Sequence, residues 1–274
     1  LSSANNRNRT SNSSQRVKEE YQSVFEEKEA FRERCNELSV KNAEQTKAII
    51  GLKSKLKEKM SHFEAPAFYD KLAELEADNY ITTNYETFLN NPLMERGYKR
   101  KNTECSIRNI EAHFTFVNGE KKIRLWNMHG SFDIEERIML GLYEYCESVT
   151  TLRSLFEPSK GKLNAEIGQN SWPYVMLHSN VYILGFGLGY EEIDLWYFLT
   201  VRKRLIREKI IEKNKMIYYS INDNSLDIGK AKLLEALDVD VEPIPFDWSE
   251  RAYEKAYDKI YKRIKAEMQS GKGT

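Results

Sequence analysis

One apolar run constrains the fold more than any other segment of this chain. Val181-Tyr-Ile-Leu-Gly185 is a continuous apolar run that ends in glycine, and a segment with helical spacing of apolar residues follows it. Such a run is typical of a central strand in a parallel sheet, which helices bury on both faces. We therefore expect an α/β fold in which strands and helices alternate along the chain.

The chain from residue 67 onward repeats this order of strands and helices. Strands are predicted over residues 79–83, 105–117, 122–128, 216–221 and 239–244. Helices are predicted over residues 67–77, 134–156, 191–212, 228–237 and 249–268. Ser249 is the expected N-cap of the last helix. Asn118-Gly119 is a strong signal for a two-residue β-hairpin. The predicted fold class is therefore α/β, a doubly wound parallel sheet with one inserted β-hairpin.

The first 77 residues differ in composition from the rest. Residues 2–16 are mostly Ser, Asn, Arg and Thr, which bury little apolar surface and predict a loop. Residues 17–60 carry apolar side chains at helical spacing, which predicts two helices or one broken helix, with a coiled-coil arm as the alternative. We therefore divide the chain into an N-terminal loop and helical module at 1–77, an α/β core at 78–248, and a C-terminal helix and tail at 249–274.

Charge and cysteine content argue against several classes of function. The chain has 42 Lys and Arg residues against 42 Asp and Glu residues, so no net field attracts nucleic acid or an anionic membrane. Its three cysteines include no Cys-x-x-Cys pair, which argues against a zinc ribbon and for reduced thiols in the cytoplasm. No apolar run approaches the roughly twenty residues of a membrane span. We expect a cytoplasmic protein with no nucleic-acid partner, no membrane partner and no metal site.

A basic run in one predicted helix invites a different interpretation. Arg202, Lys203, Arg204, Arg207 and Lys209 alternate with apolar residues at helical spacing. This pattern usually marks a solvated helix face, and we prefer that interpretation to a nucleic-acid site.

Two polar side chains lie where predicted strands end, which in an open α/β sheet is where ligands bind. Asn84 follows two threonines in Tyr80-Ile-Thr-Thr-Asn-Tyr-Glu86, and its amide can donate to and accept from a ligand hydroxyl. The alternative is that Asn84 caps a helix starting near Glu86. His129 ends the strand in Leu125-Trp-Asn-Met-His-Gly130, which directs its imidazole into the crevice. The alternative is a structural histidine, the role that we expect for His62, His113 and His178.

Two later strand ends carry further candidate residues. Gly185-Phe-Gly-Leu-Gly189 precedes a helix, where backbone amides can approach a phosphate without a Cβ in the way. A tight strand-to-helix turn also requires glycine, and the spacing is not the dinucleotide fingerprint GxGxxG. Asn222-Asp-Asn224 can hold ribose hydroxyls or form an Asx turn. Both interpretations stay open for each segment.

Four of these segments, taken in order, resemble the motifs of the SIR2-like (sirtuin-related) family. Thr82-Thr-Asn-Tyr-Glu86 is similar to the family's Thr-Gln-Asn-Ile-Asp and to the Thr-Thr-Asn-Tyr-Asp of its bacterial members. His129-Gly130 matches the His-Gly that carries the family's catalytic histidine. Ile183-Leu-Gly-Phe-Gly-Leu188 resembles the later Gly-Thr-Ser-Leu loop, and Tyr219-Ser-Ile-Asn222 stands where the family places an adenosine-ribose asparagine. The resemblance covers residues 78–247.

The resemblance implies a Rossmann-like fold and an NAD⁺ site. In the family the asparagine positions the nicotinamide ribose or the attacking water, and the histidine is the general base on a ribose hydroxyl. It therefore implies catalytic roles for Asn84 and His129. It also implies that residues 4–60 cover the nicotinamide pocket instead of forming a separate coiled coil.

The segment between Gly130 and Gly185 bears on the choice of acceptor. It contains only Cys146, so the zinc ribbon of the family's protein deacylases is missing and no zinc is expected. This favours water as the acceptor, as in the NAD⁺ hydrolases of bacterial antiphage systems. The alternatives are a degenerate module that binds NAD⁺ or ADP-ribose without cleaving it, and a zinc-independent protein deacylase.

The same resemblance extends the NAD⁺ contacts to other residues. The expected cofactor-binding residues are Ser2, Thr82, Thr83, Asn84, Glu86, Gly185, Gly187, Leu188 and Asn222. Ser2 is included because Leu1-Ser2 matches the end of the family's first motif, Gly-Ala-Gly-Ile/Leu-Ser, so we expect the chain to begin within that motif. Glu86 replaces the family's Asp, and Gly187 replaces its Ser. The expected partners are NAD⁺ and, in a homo-oligomer, further copies of this chain.

Overall fold

A computed structural model describes residues 41, 44–60, 62–101, 109–134, 137–156, 170–222, 228–246, 248–249 and 251–270. The chain forms two compact units, residues 1–56 and residues 57–274. In the first unit, residues 44–56 are helical, as their sequence predicts. The predicted loop at 2–16 and the predicted helical residues up to 40 lie outside the described residues. The second unit has a mixed α/β architecture.

The elements of the second unit alternate much as predicted. The strands are β1 (Asn79–Thr82), β2 (Lys99–Lys101), β3 (His113–Asn118), β4 (Lys121–Asn127), β5 (Val181–Ile183), β6 (Met216–Asn222) and β7 (Asp240–Pro245). The α-helices are α1 (Phe68–Glu74), α2 (Asn90–Glu95), α3 (Leu142–Phe156), α4 (Trp172–His178), α5 (Ile193–Arg207), α6 (Ile228–Ala236) and α7 (Ala252–Ser270). None of the helices in the described ranges combines the length and apolarity that crossing a membrane requires.

Two predicted helix starts are wrong. The helix predicted from residue 134 begins at Leu142, because the chain after β4 first makes a tight turn in which the Ser131 hydroxyl accepts a hydrogen bond from the Asp133 amide. The last helix begins at Ala252, three residues after the expected N-cap Ser249.

The described strands form two sheets, whereas the sequence predicts one. In the first sheet the strand order is β1-β4-β3-β2, with β1 parallel to β4 and the other neighbours antiparallel. In the second sheet the order is β5-β6-β7, and all neighbours are parallel. The prediction of parallel strands with an inserted antiparallel hairpin is confirmed.

Strand β5 is not the central strand that its apolar run predicts. It pairs with β6 alone among the described strands, and its residues are only half-buried. The run is apolar for another reason. Val181 and Ile183 pack against the main core, while Tyr182 and Leu184 pack against a second cluster beneath α7. Both faces are covered, although the strand lies at the edge of its sheet.

The hairpin forms one residue later than its sequence signal suggests. Asn118 is the last residue of β3 and pairs with Lys121, so the two loop residues are Gly119 and Glu120. Gly119 has a φ of +60°, and Glu120 is not in the left-handed region. A positive φ at the first loop position alone is the type II′ pattern, which matches the twist of the flanking strands.

Helix α7 covers one face of the second sheet. Ala256, Ile260 and Ile264 recur every four residues, so they form a single stripe on the helix. That stripe packs against Ile217, Tyr219 and Ile244 of β6 and β7. Helix α1 joins α7 through the Phe68 and Tyr257 rings, whose centroids are 4.9 Å apart, and through an ion pair between Lys71 and Asp258.

The basic run of α5 is predicted from the sequence to be a solvated helix face, and this prediction is wrong for Arg202. Arg202 is 0% exposed, because it follows the buried Phe198 by one helical turn on the inner face of α5. Its guanidinium donates to the side chain and backbone carbonyl of Asn214 and to the carbonyls of Leu237 and Asp238. Arg202 therefore ties α5 to the start of β6 and to the turn after α6.

The packing of α7 predicts the effect of truncating its buried stripe. Replacing the fully buried Ile260 by Ala leaves a cavity between α7 and the second sheet. We expect the free energy of unfolding in urea to fall by about 2–5 kcal/mol. The exposed Lys262 on the same helix is the control, and Lys262→Ala should change it by less than about 0.5 kcal/mol. Equal effects of the two substitutions would contradict this packing.

Candidate functional site

The parallel pairing of β1 with β4 brings two strand ends to one edge of the first sheet. Thr82 is in register with Asn127, and the Met128 amide donates to the Thr82 carbonyl at 3.0 Å. Residues 83–86 and 128–130 therefore leave the sheet side by side. Farther out, the Phe132 amide donates to the Tyr85 carbonyl at 2.8 Å. Asn84 and His129 lie on these two neighbouring segments.

Asn84 caps no helix, because the next helix, α2, begins at Asn90 with Leu89 as its N-cap. Its backbone is fixed instead by two hydrogen bonds. The Asn84 amide donates to the Thr82 hydroxyl at 3.0 Å, and its carbonyl accepts from Nδ2 of the buried Asn127 at 3.0 Å. Asn127 thus holds the β1 end against the β4 end.

Glu86 is the centre of a hydrogen-bond network with Asn84. Its Oε1 accepts from the Tyr69 hydroxyl at 2.5 Å and from Asn84 Nδ2 at 3.1 Å, and its Oε2 accepts from the Phe88 amide at 2.7 Å. Burial of the phenol and its bond to the Glu86 carboxylate raise the pKa of Tyr69. Tyr69 therefore stays a hydrogen-bond donor at neutral pH.

A large cavity opens at these strand ends. Its volume is about 1120 Å³, slightly above the usual range of about 300–1,000 Å³ for ligand pockets. One wall is formed by β1 and by Thr83, Asn84 and Glu86, which follow it. The other is formed by β5 and by residues 184–186, which follow it. Helices α1, α5 and α7 contribute further wall residues. The lining combines apolar side chains with the polar group around Asn84.

His129 lies in a separate, buried cluster and not in the wall of this cavity. Its Nε2 is 3.1 Å from Oδ2 of Asp194, and its Nδ1 is 3.7 Å from Oε2 of Glu192. The side chains of His129, Asp194 and Glu192 are 2%, 1% and 16% exposed. The ring of Tyr145 meets the imidazole edge-on, with the ring centroids 5.0 Å apart. Each ring nitrogen of His129 therefore faces a different carboxylate.

Asp194 is held in the first turn of α5 by donors on three sides. Its Oδ2 accepts from the Ser148 hydroxyl at 3.0 Å as well as facing His129, and its Oδ1 accepts from the Leu195 amide at 2.9 Å. Ser148, Asp194 and His129 contain the residue types of a serine-hydrolase triad, but the serine bonds the aspartate and not the histidine. The arrangement therefore orients a histidine and does not activate a serine.

Glu192 differs from Asp194 in its bonding. Its Oε2 is buried and has no hydrogen-bond partner among the described residues. Burial is the main cause that raises the pKa of this carboxyl group, while His129 and a hydrogen bond from Tyr145 act in the opposite direction. Burial therefore favours the protonated form of Glu192 more than that of a free carboxyl group.

The ligand atoms of His129, Glu192 and Asp194 lie within 4.8 Å of one another, a spacing that a cation could also use. A metal ion binds one ring nitrogen, however, and here the two carboxylates face different nitrogens. A hydrogen-bonded histidine between two carboxylates accounts for these distances directly.

Glycines shape two of the site loops. Gly130 has a φ of +95°, and a Cβ on it would lie 2.2 Å from the Arg137 carbonyl oxygen. Only glycine therefore fits after His129. In the other loop, Gly185 has a φ of +63° and lines the cavity, while the buried Leu188 has a φ of +45°.

The structure brings together most, but not all, of the residues predicted from the sequence. Those that line the cavity are Thr82, Thr83, Asn84, Glu86, Gly185 and Leu188. His129 and Gly187 do not line it. Asn222 is the last residue of β6, whereas Ser2 and residues 223–224 lie outside the described residues. His113 and His178 are structural, since their Nδ1 atoms bond the carbonyls of Glu111 and Tyr174.

The site also contains four residues that the sequence does not predict: Glu192, Asp194, Ser148 and Tyr69. Glu192 and Asp194 belong to an acidic stretch at the start of α5, and acidic residues are common in the first turn of any helix. The signal that could have distinguished them is their position directly after the glycine loop at the end of β5. Ser148 and Tyr69 carry no local signal.

Comparisons with models of protein families, with curated proteins and with solved structures found no match. Function is therefore inferred from the geometry of the site and from the motif resemblance.

The glycine after His129 gives a direct test of the site backbone. Gly130→Ala places a Cβ against the Arg137 carbonyl and forces a positive φ on alanine, so we expect a loss of about 3 kcal/mol or more in the free energy of unfolding. Chemical denaturation followed by circular dichroism measures it. Gly187→Ala is the control, because nothing lies within 4 Å of its added Cβ and its φ is outside the left-handed region. The control should change stability by about 1 kcal/mol or less.

Proposed function

We propose that this chain is a SIR2-like enzyme that binds NAD⁺ and cleaves its nicotinamide-ribose bond, with water as the acceptor. One observation carries the proposal. The cavity-lining Asn84 and the buried His129 lie at the ends of two adjacent parallel strands, in the motif order that the family uses, and Asp194 of α5 faces His129.

The cavity supports binding of a dinucleotide. Its volume is sufficient for two nucleotides, and its walls offer apolar surface to planar rings, for example at Ile81 and Leu125. Thr82, Thr83 and Asn84 supply hydroxyl and amide groups to the ribose at one end. We propose a Rossmann-like binding mode, in which the ligand lies across the carboxyl ends of β1 and β5.

The charges near the site support cleavage. Loss of nicotinamide leaves positive charge on the ribose, and a site with negative charge nearby stabilises that transition state. Glu86 lines the cavity and provides this charge, and its described partners are neutral donors. Water then adds to the ribose carbon and gives one proton to a base, so that NAD⁺ and water yield nicotinamide, ADP-ribose and a proton. We assign the base to His129.

A second candidate function is binding of NAD⁺ or ADP-ribose without cleavage. The observation that favours it is the burial of His129, which is 1% exposed and absent from the cavity wall. In this case the histidine and its carboxylates stabilise the strand ends, and Asn84 holds a ribose that is never cleaved.

The proposal predicts turnover that depends on His129. We expect purified protein incubated with NAD⁺ to release nicotinamide and ADP-ribose, which liquid chromatography quantifies. His129→Ala should lower kcat about 10²–10⁴-fold, the usual contribution of a positioned base. His178→Ala is the control because that histidine is exposed and outside the site, and it should leave kcat unchanged.

Calorimetry with NAD⁺ separates the two functions. Affinity without nicotinamide release would select the binding module, and neither affinity nor release would overturn both proposals. Thermal unfolding of each variant confirms that a loss of turnover is not a loss of fold.

A further inference from the structure

The two nitrogens of the His129 ring are not equivalent, because they face carboxylates with different surroundings. We propose that Asp194, His129 and Glu192 form a proton relay, in which Asp194 holds the proton on Nε2 and Glu192 exchanges a proton with Nδ1. The role of the relay in turnover rests on the proposed function. The protonation pattern itself can be measured without any substrate.

The partners of Asp194 fix the first half of the relay. Its carboxylate receives the Ser148 hydroxyl and the Leu195 amide, which are both donors, and it lies in the first turn of α5, where the helix dipole favours negative charge. An ionised carboxylate only accepts hydrogen bonds. At 3.1 Å from Oδ2, Nε2 must therefore carry the proton, and neutral His129 has its lone pair on Nδ1.

Glu192 is the only carboxylate that faces this lone pair among the described residues. Its Oε2 is 3.7 Å from Nδ1, which is too long for a hydrogen bond, and it has no hydrogen-bond partner in the described part of the chain. A shift of less than about 1 Å would close the bond. The orphaned oxygen is thus placed to receive a proton from Nδ1 when the imidazole becomes charged.

The different burial of the three side chains sets the direction in which a proton can leave the relay. Asp194 and His129 are almost fully buried, whereas the Glu192 side chain is 16% exposed and is the member of the relay nearest to solvent. The other charged or titratable groups that act on Glu192 are Glu191 on the same segment, Tyr145 of α3 and Tyr85 after β1. Burial, together with the charges of Asp194 and Glu191, keeps the pKa of Glu192 above that of a free carboxyl group, while His129 and the hydrogen bond from Tyr145 act in the opposite direction.

The proton balance of the proposed reaction fits this order of groups. The attacking water gives one proton to the lone pair on Nδ1 of His129 and becomes a hydroxyl group of ADP-ribose. After that product has left, Glu192 moves into hydrogen-bond distance of Nδ1, takes the proton and releases it to solvent. Nε2 keeps its proton and Asp194 keeps its charge throughout. The relay therefore returns to its starting state after each turnover and consumes no further reactant.

Nuclear magnetic resonance of histidine-labelled protein tests the protonation pattern. We expect neutral His129 to carry its proton on Nε2, as read from the two ring ¹⁵N shifts. The signal is assigned by its absence in His129→Gln. Asp194→Asn removes the charge and should shift the ring toward the form protonated on Nδ1. Wild-type protein with the proton on Nδ1 would overturn the relay, and this result is independent of whether NAD⁺ is cleaved.

Kinetics of matched variants test the Glu192 half of the relay. Glu192→Gln should lower kcat at least tenfold with little change in KM, because glutamine cannot take the proton from Nδ1. Wild-type kcat should fall as the pH drops through the raised pKa of Glu192, since a protonated carboxyl group cannot accept a proton. The kcat of Glu192→Gln should not show this decrease at low pH.

The neighbouring, exposed Glu191 is the control. Glu191→Gln should retain wild-type kcat and the fall of kcat at low pH, with that fall moved to lower pH because the charge of Glu191 raises the pKa of Glu192. Equal kcat in Glu192→Gln and wild-type protein would overturn the relay. So would elemental analysis that finds one zinc or manganese ion bound per chain and lost in Glu192→Gln, because a metal ion would then occupy Nδ1.

Discussion

The parallel pairing of β1 with β4 is the constraint on which the rest of the site depends. Hydrogen bonds between the two strands set Thr82 opposite Asn127, and a shift of one residue would turn every side chain at the strand ends to the other face. The Asn127 side chain locks that register, because its Nδ2 bonds the carbonyl of Asn84 across the gap. The positions of Asn84 and His129 therefore follow from backbone pairing and not from contacts between their own side chains.

Local sequence signals predicted the parts of the fold that depend on near neighbours. Gly119 at the hairpin, and the four-residue spacing of Ala256, Ile260 and Ile264 in α7, each determine their structure within a few residues. The position of β5 at a sheet edge could not be predicted in this way. The same apolar run is expected for a central strand and for an edge strand whose two faces pack against separate cores. Only the tertiary packing determines which of the two positions the strand takes.

The candidate site was predictable to a similar extent. Asn84 and His129 are recognisable because each stands at the end of an apolar strand. Asp194 and Arg202 were not recognisable, because their partners are distant in sequence and each has an adequate local explanation. An acidic residue in a first helical turn and an arginine in a basic run are ordinary surface features until the fold buries them.

The separation of the two sheets has a mechanical consequence. In the described part of the chain, no strand pairing joins β1 to β5, and the cavity lies between them. The two walls can therefore change their spacing without breaking a hydrogen bond of either sheet. A molecule that contacts both walls would therefore add a cross-link between two sheets that are otherwise joined by side-chain packing, for example of Trp126 and Tyr218 in one hydrophobic core. Occupancy of the cavity would then limit changes in the spacing of β1 and β5.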